Sequence, residues 1–396
     1  MNLQLLLLTL CQGLFLTNNV VFIAINGLVG LELAPTAWLA TLPLTAYVAG
    51  GALSAPLVAR HQRRFGRKRC FQFGLLTAIA TTLLCALAAW QRSFGLLLMA
   101  TVLAGYYQAN AALYRFAAAE LVAPAAREKA ISWVLAGGIL GGVFGPNLAS
   151  ATRTALPQAF VGSYLARVAE ALVALALISR IRFPPLPSAS AGAPAGRPLR
   201  EIARQPVFIV AVAAAALGYG VMNLLMAATP IAMAQCEHPF SAAAFVLEWH
   251  VLGMYVPSFF TGSLIRRFDA LPVMTAGLIL NLGCVAFALS GTSLMHFTGA
   301  LFLLGVGWNF LYIGGSTLLG RAHRPEERTT AQGAMDTCVY ATMTVTSFSS
   351  GARVTSGGWQ SMNLGSLVPL ALLGVALAWL ALQLRRAENA TATTGG

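Results

Sequence analysis

Charge is scarce in this chain: only 9% of its 396 residues are Asp, Glu, Lys or Arg, against 58% apolar ones. A soluble domain carries about a quarter charged residues, so composition alone argues against a fold wetted on all sides. Acid is scarcer than base, with 12 Asp and Glu against 25 Lys and Arg, a formal net charge of +13. The bases fall in short patches between apolar runs rather than along one soluble surface, which favours membrane topology over a nucleic-acid partner. Cysteine is sparse and scattered. Cys11, Cys70, Cys85, Cys236, Cys284 and Cys338 form no C-x-x-C pair and no metal-like spacing, so neither a disulfide framework nor a zinc site is indicated. G-x-x-x-x-G-K-[ST], H-E-x-x-H and G-x-S-x-G are all missing, which leaves ATP hydrolysis and hydrolytic catalysis without support. The chain reads as a non-enzyme without cofactor or metal.

What the sequence has is long apolar runs. A bilayer core about 30 Å thick needs roughly 20 mainly apolar residues per helix. Hydropathy predicts spans at Leu3 to Leu31, Trp38 to Ala59, Cys70 to Trp90, Phe94 to Ala118, Ala130 to Ser150 and Phe160 to Ser179. The first run is too long for a signal-peptide core and lacks a basic flank before it, so it reads as a span. A second set follows at Pro206 to Ala234, Ser241 to Ile265, Pro272 to Ser290, Phe297 to Gly320, Thr330 to Ser350 and Met362 to Leu384. Between the sets, residues 180–205 are dominated by Pro, Ser, Ala and Gly and can bury no apolar face. The expected architecture is all-α, with twelve transmembrane helices in two six-helix bundles, 1–179 and 206–384, joined by the 180–205 linker and followed by a 385–396 tail.

Orientation follows from the bases. Arg60 to Arg69, Arg127 with Lys129, Arg180 to Arg204, Arg266 with Arg267, Arg321 to Arg328, and Arg385 with Arg386 occupy alternate loops, while the opposite loops hold only Arg92, Arg153 and Arg353. Basic loops face the cytoplasm, so both termini are expected there, in the inner membrane of a bacterium. The Asn389 sequon is then on the wrong side for glycosylation. An internal repeat is visible as well: Arg63-Arg64-Phe65-Gly66 recurs as Arg266-Arg267-Phe268-Asp269 at an offset of 203, and Arg127 matches Arg328 at 201. Two such offsets imply parallel duplicated halves, an arrangement that sets a solute site at the interface near the bilayer midplane.

At these residues the chain resembles the major facilitator superfamily over essentially its full length. Arg63-Arg64-Phe65-Gly66-Arg67-Lys68 is similar to that family's D-R-x-G-R-[RK] signature between its second and third helices, with Arg63 in place of Asp. The second-half loop likewise carries Arg266. The resemblance implies a cytoplasmic gate built from Arg63, Arg64, Gly66, Arg67, Arg266 and Arg267, but without its usual acid. Gly141 to Ser150 resembles the G-x-x-x-G-P-x-x-G-G signature of drug and proton antiporters, with Ala149 and Ser150 replacing the last two glycines. In it Gly141 and Gly145 permit close helix contact and Pro146 can bend the span; ordinary small-residue packing is the alternative. The family's usual span-four Arg is replaced by Thr101.

Ionisable residues inside spans need a partner, a wet cavity or an interface. His250, Asp336 and Glu248 are the candidates for proton coupling, His250 first because its ordinary pKa lies near neutrality. A hydrogen bond to a neighbouring helix is the alternative for His250, and a gate contact for Asp336. Arg167 and Glu170 share a face and form either a mutually neutralising pair or an anion site. Span four is unusually polar, and Tyr107, Asn110 and Tyr114 share one side of it. Arg115 can snorkel toward Glu120 or hold an anion. With Asn18, Asn19 and Asn26 in span one, Asn223 in span seven and Asn309 in span ten, these are the expected substrate-binding residues, on the spans that line the cavity of the resembled fold. Helix-packing amides are the alternative for each. Met222, Met226 and Trp308 could form an apolar pocket wall. The leading expectation is a monomeric secondary transporter of a small organic solute working by alternating access, as a proton-coupled exporter. Uptake of a small organic anion or vitamin-like solute is the second reading, and a membrane sensor or assembly factor the third.

Overall fold

The structure is a computed structural model that describes residues 2–123, 126–184 and 196–394. Residues 185–195 of the expected linker, the side chain of Lys129 and the side chains of the 387–396 tail, Asn389 among them, lie outside the described residues.

The apolar runs fold as helices: α1 (Leu3–Leu33), α2 (Leu42–Trp90), α3 (Phe94–Ala111), α4 (Tyr114–Glu120), α5 (Arg127–Ala136), α6 (Gly138–Thr152) and α7 (Val161–Arg180) make the first half. After the short α8 (Leu199–Ile202), the second half holds α9 (Pro206–Gln235), α10 (Phe240–Tyr255), α11 (Ser258–Phe268), α12 (Ala270–Ser290), α13 (Leu294–Leu319) and α14 (Arg328–Thr394). Caps fix several starts. Asn2 Oδ1 accepts from the Leu5 amide at 2.8 Å, and Ser93 Oγ from the Leu96 amide at 3.3 Å.

Among the described residues, nine helical stretches are long and apolar enough to cross a bilayer, and α10 with α11, bent by 40° at their junction, makes a tenth. Two of the nine run to 54 and 57 residues, double length, and each is broken once, at Gly66 and at Gly358. Dividing them there makes twelve membrane-length segments among the described residues. The expected loop at Arg60 to Arg69 is therefore helical on both sides of one residue. Gly66 (φ 78°, ψ 168°) supplies a backbone that is essentially glycine-only, and the sequence around it contains no other helix breaker.

The duplication reappears in the backbone. Asp269, 203 residues beyond Gly66, has φ 72° and ψ 167°, the same turn in the other half. Each turn is pinned to the end of a neighbouring span by an ion pair, with the polarity reversed. In the first half the base is on the turn: Arg67 Nη2 donates to Glu120 Oε1 at 2.7 Å and Nε to Oε2 at 3.2 Å. In the second half the acid is on the turn: Asp269 accepts from Arg321 at both carboxylate oxygens, one at 3.1 Å, and from the Ala270 amide at 2.7 Å. Arg321 stands 201 residues after Glu120. Of the expected gate arginines, Arg63 is exposed, Arg64 and Arg267 lie over their neighbours Phe65 and Phe268, and Arg266 donates to Ser263 Oγ at 2.8 Å.

Each half has an apolar core, one around Phe71, Leu75 and Tyr114 and the other around Met274, Leu311 and Leu318. A larger cluster joins both halves at the end away from the basic loops, through Val21, Ile25, Leu225, Ile231 and Val246. That end is also tied by Thr41, which donates to the Ser347 carbonyl at 2.6 Å and accepts from the Gly351 amide at 2.8 Å. Arg153 lies 5.2 Å over Phe160 of the first half and 5.1 Å over Phe240 of the second.

Replacing Gly66 by Ala is expected to cost about 1–3 kcal/mol, because a Cβ strains this φ even though it meets open space. Gly95→Ala, in a helix and equally open, is the control that should not destabilise. For Asp269, the Arg321 pair holds the carboxyl below its usual range, helped by the Ala270 amide. Its stabilising contribution is therefore full above the unfolded value near 3.9 and is lost as pH falls through the lower folded one. Exposure limits it to under about 1 kcal/mol. Thermal unfolding of wild type and Asp269→Asn should differ at pH 7, and the difference should shrink as the pH falls below the ordinary aspartate range.

Candidate functional site

Between the halves, and displaced toward the basic-loop end, two adjoining cavities share a waist. The larger, about 210 Å³, is lined by Gln12, Arg115, Trp308, Tyr312, Asp336 and Tyr340 among others. The smaller, about 80 Å³ and deeper, adds Tyr47, Met222, Asn223, Met226 and Ser347. Leu16, Asn19, Gln108, Tyr219, Tyr255 and Met343 line both and form the waist. Every wall comes from α1, α2, α3, α4, α5, α9, α10, α13 or α14, so the space belongs to neither half alone.

Its second-half wall is aromatic. Trp308 and Tyr312, four apart on α13 and so on one face, stack at 5.2 Å and 8°. Tyr219 of α9 meets Trp308 edge-on at 5.2 Å, and Tyr255 of α10 meets it at 6.2 Å. Such contacts are each worth about 0.5–1.5 kcal/mol and fix the rings as a rigid wall. The first-half wall sets four polar side chains, Gln12, Asn19, Gln108 and Arg115, among apolar ones such as Phe15, Leu16 and Leu44. Arg115 faces Asp336, Tyr312 and Tyr340 across the space rather than reaching Glu120, because Arg67 already occupies that carboxylate. Five atoms of this lining are buried without a hydrogen-bond partner among the described residues: Asn19 Oδ1, Gln108 Oε1, Arg115 Nε, Trp308 Nε1 and Ser347 Oγ. An unpaired buried polar atom costs about 1–3 kcal/mol, so two acceptors, two donors and one hydroxyl left open around one cavity mark a place for a polar ligand.

The nine expected substrate-binding residues separate into two groups. Asn19, Arg115 and Asn223 line the cavities. Asn223 also donates to the Met343 carbonyl at 3.1 Å. The other six are engaged in packing between helices. Asn18 Oδ1 accepts from Arg167 at 2.8 Å, and Asn26 Oδ1 accepts from Tyr164 at 2.9 Å. Asn110 donates to the Cys70 carbonyl at 2.8 Å; Asn309 donates to the Met254 carbonyl at 2.7 Å and accepts from Thr261 at 2.7 Å. Tyr107 and Tyr114 are buried edge-on against Phe15.

Among the ionisable candidates, Asp336 lines the larger cavity. His250 is fully buried with Nδ1 2.7 Å from the Leu301 carbonyl, inside the α10–α13 contact and away from the lining of both cavities. Glu248 accepts from Asn147 of α6 at 3.0 Å on an exposed cross-half contact. Arg167 and Glu170 form no ion pair within 4 Å among the described residues; Arg167 turns to Asn18 and lies 4.7 Å over the Phe22 ring. At the glycine–proline run α6 passes through Pro146 without a break, and the interruption falls earlier, at Gly137. Gly141 and Gly145 face Leu16, Thr17 and Val20 of α1, where a Cβ would collide, so the run brings α6 against α1.

A two-half helical bundle in an apolar medium, with a cavity whose opposite walls belong to opposite halves and whose far end is closed, is the build of a membrane transporter. The Major Facilitator Superfamily profile matches residues 5–247 and 223–395, and the chain belongs to that family. It is 38% identical over 362 residues to the riboflavin transporter RfnT of Brucella anthropi, covering 91% of each chain. Among solved structures it is similar to a bacterial homologue of the human lysosomal transporter Spinster in an inward-facing, unoccupied conformation, at 18% identity, a TM-score of 0.72, and 94% and 95% coverage. The human organic anion transporter MFSD10 gives 14% identity, a TM-score of 0.68, and 94% and 98% coverage.

The amide partition predicts opposite mutational outcomes. Asn309→Leu and Asn110→Leu remove buried hydrogen bonds between helices and are expected to destabilise by about 1–3 kcal/mol. Asn19→Leu removes an oxygen that has no partner and should stay within about 0.5 kcal/mol of wild type. Thermal unfolding of the detergent-solubilised protein separates them; a loss for Asn19→Leu equal to that of Asn309→Leu would contradict the partition.

Proposed function

We propose that the chain carries riboflavin, or a flavin closely like it, inward across a bacterial cytoplasmic membrane, as a monomer with both termini in the cytoplasm. The observation that carries this reading is the 38% identity, over 91% of both chains, to a riboflavin transporter. The chemistry of the cavity supports it: a flat heteroaromatic ring matches a wall of Tyr219, Tyr255, Trp308 and Tyr312, and open hydrogen-bonding atoms match the ring edge and hydroxylated side chain. With the basic loops inside, a closed far end and a cavity on the basic-loop side make an inward-facing state.

Asp336 is the proposed proton-coupling residue, in preference to His250 and Glu248. It lines the cavity on α14 and faces Arg115 of the other half, so its protonation state alters the attraction between halves. Proton-coupled export, the alternative, draws on the Gly141–Pro146 run, whose glycines are accounted for by contact with α1.

A riboflavin-auxotrophic bacterium lacking its own flavin carrier provides the test. Expression of the chain should restore growth on low riboflavin and give accumulation of labelled riboflavin in intact cells. A protonophore should lower that accumulation, and Asp336→Asn should abolish accumulation while retaining binding. Accumulation in everted vesicles but never in intact cells would reverse the direction, and no flavin movement in either would reject the substrate.

A further inference from the structure

The waist of the cavity has two carboxamides on one side and rings on the other. Asn19 of α1 and Gln108 of α3 are the only side-chain amides lining both cavities among the described residues, and the oxygen of each is buried and unpartnered. Gln108 is held in place by backbone rather than by a hydrogen bond to that oxygen. Its Oε1 lies over Gly51 of α2, where a Cβ would stand 2.6 Å away. Across the waist stand Tyr219 and Tyr255, backed by Trp308.

A primary amide offers an acceptor beside a donor. It pairs with an imide, O=C–NH–C=O, by accepting the imide N–H while its own NH₂ donates to an imide oxygen. Two amides can satisfy the whole acceptor–donor–acceptor edge, and both open oxygens compete for the one N–H, so one takes it and the other takes a hydroxyl or water. Open acceptors that lack a donor are what an N–H-bearing edge would fill; a carboxylate ligand, which only accepts, would leave them unpaired.

We propose that Asn19 and Gln108 are specificity-determining residues that read the imide edge of the substrate ring, with the ring faces against Tyr219, Tyr255 and Trp308. This deepens the flavin reading and rests on it: the pyrimidine-like end of the flavin ring carries such an edge, with one N–H between two carbonyls. The amides come from the first half and the rings from the second, so a bound ring bridges the two halves. Gly51 acts through Gln108 as a positioning residue.

The test is equilibrium binding to the purified full chain in detergent, read by quenching of flavin fluorescence, with riboflavin and its N3-methyl analogue. Methylation removes the only imide donor and adds bulk at the same point. Wild type is expected to bind the analogue about tenfold or more weakly, since one buried hydrogen bond left unmade is worth about that factor. Asn19→Leu and Gln108→Leu should each weaken riboflavin while narrowing the gap between the two ligands, and Gly51→Ala should narrow it through Gln108. Equal binding of both ligands by wild type overturns the imide assignment and leaves the flavin reading standing; this comparison needs no substitution and so no refolding. Variants that weaken both ligands by the same factor also overturn it. Binding of neither ligand by wild type rejects the flavin reading, and the imide assignment with it.

Discussion

In an apolar medium a polar group inside a helix bundle has no water to fall back on, and the arrangement of this protein follows from where its buried amides and charges find partners. Asn110 holds α3 to α2 through the Cys70 carbonyl, Asn309 holds α13 to α10 and α11, and Asn18 with Arg167 holds α1 to α7. These bonds join helices within one half. They make each half a unit that can move as a body, and they leave the space between halves to side chains whose hydrogen bonding is incomplete. The cavity is defined by what the scaffold leaves unsatisfied as much as by its shape.

The same economy explains the two glycine-type turns. At Gly66 the chain has no side chain to strain; at Asp269 the same backbone carries one, and that carboxylate is put to use capping Ala270 and pairing with Arg321. The first half solves the equivalent problem with Arg67 and Glu120, base and acid exchanged. The missing acid of the basic loop, where Arg63 and Arg266 stand, is thus not replaced in kind. Each half instead ties its turn to its own fourth span, so the loops reinforce the halves separately, while contacts such as those of Thr41 and Arg153 join the halves at the closed far end.

Spans and duplication were legible in the sequence because they depend on run length and on residues repeated at a fixed offset; the breaks were not, since the bend expected at Pro146 falls at Gly137 and the expected basic loop is helix on both sides of Gly66. The site was legible only in part. Asn19, Arg115, Asn223 and Asp336 could be named from their polarity within spans, but so could Asn18, Asn110 and Asn309, and nothing in a linear sequence tells an amide that meets a neighbouring carbonyl from one that meets a cavity. That choice is made by the rotation of one helix against another. Arg115 was open to Glu120 until Arg67, brought there by the Gly66 turn, took that carboxylate. The aromatic wall was the larger omission: Tyr219, Tyr255, Tyr312 and Tyr340 look like ordinary interfacial or core tyrosines, and only the four-residue spacing of Trp308 and Tyr312 hinted at a shared face.

The unequal chemistry of the two halves bears on how binding and movement are linked. A ligand that touched one half alone would bind equally well in every orientation of the other and could shift no equilibrium. Here three of the unpartnered polar atoms lie on α1, α3 and α4, while the packed rings of Tyr219, Tyr255, Trp308 and Tyr312 lie on α9, α10 and α13, with Asp336 of α14 opposite Arg115. A flat, hydrogen-bonding solute satisfies both sets only when the halves stand at the right separation, and its departure leaves these polar atoms open again. The strength of binding therefore depends on the angle between halves, and alternating access requires that dependence.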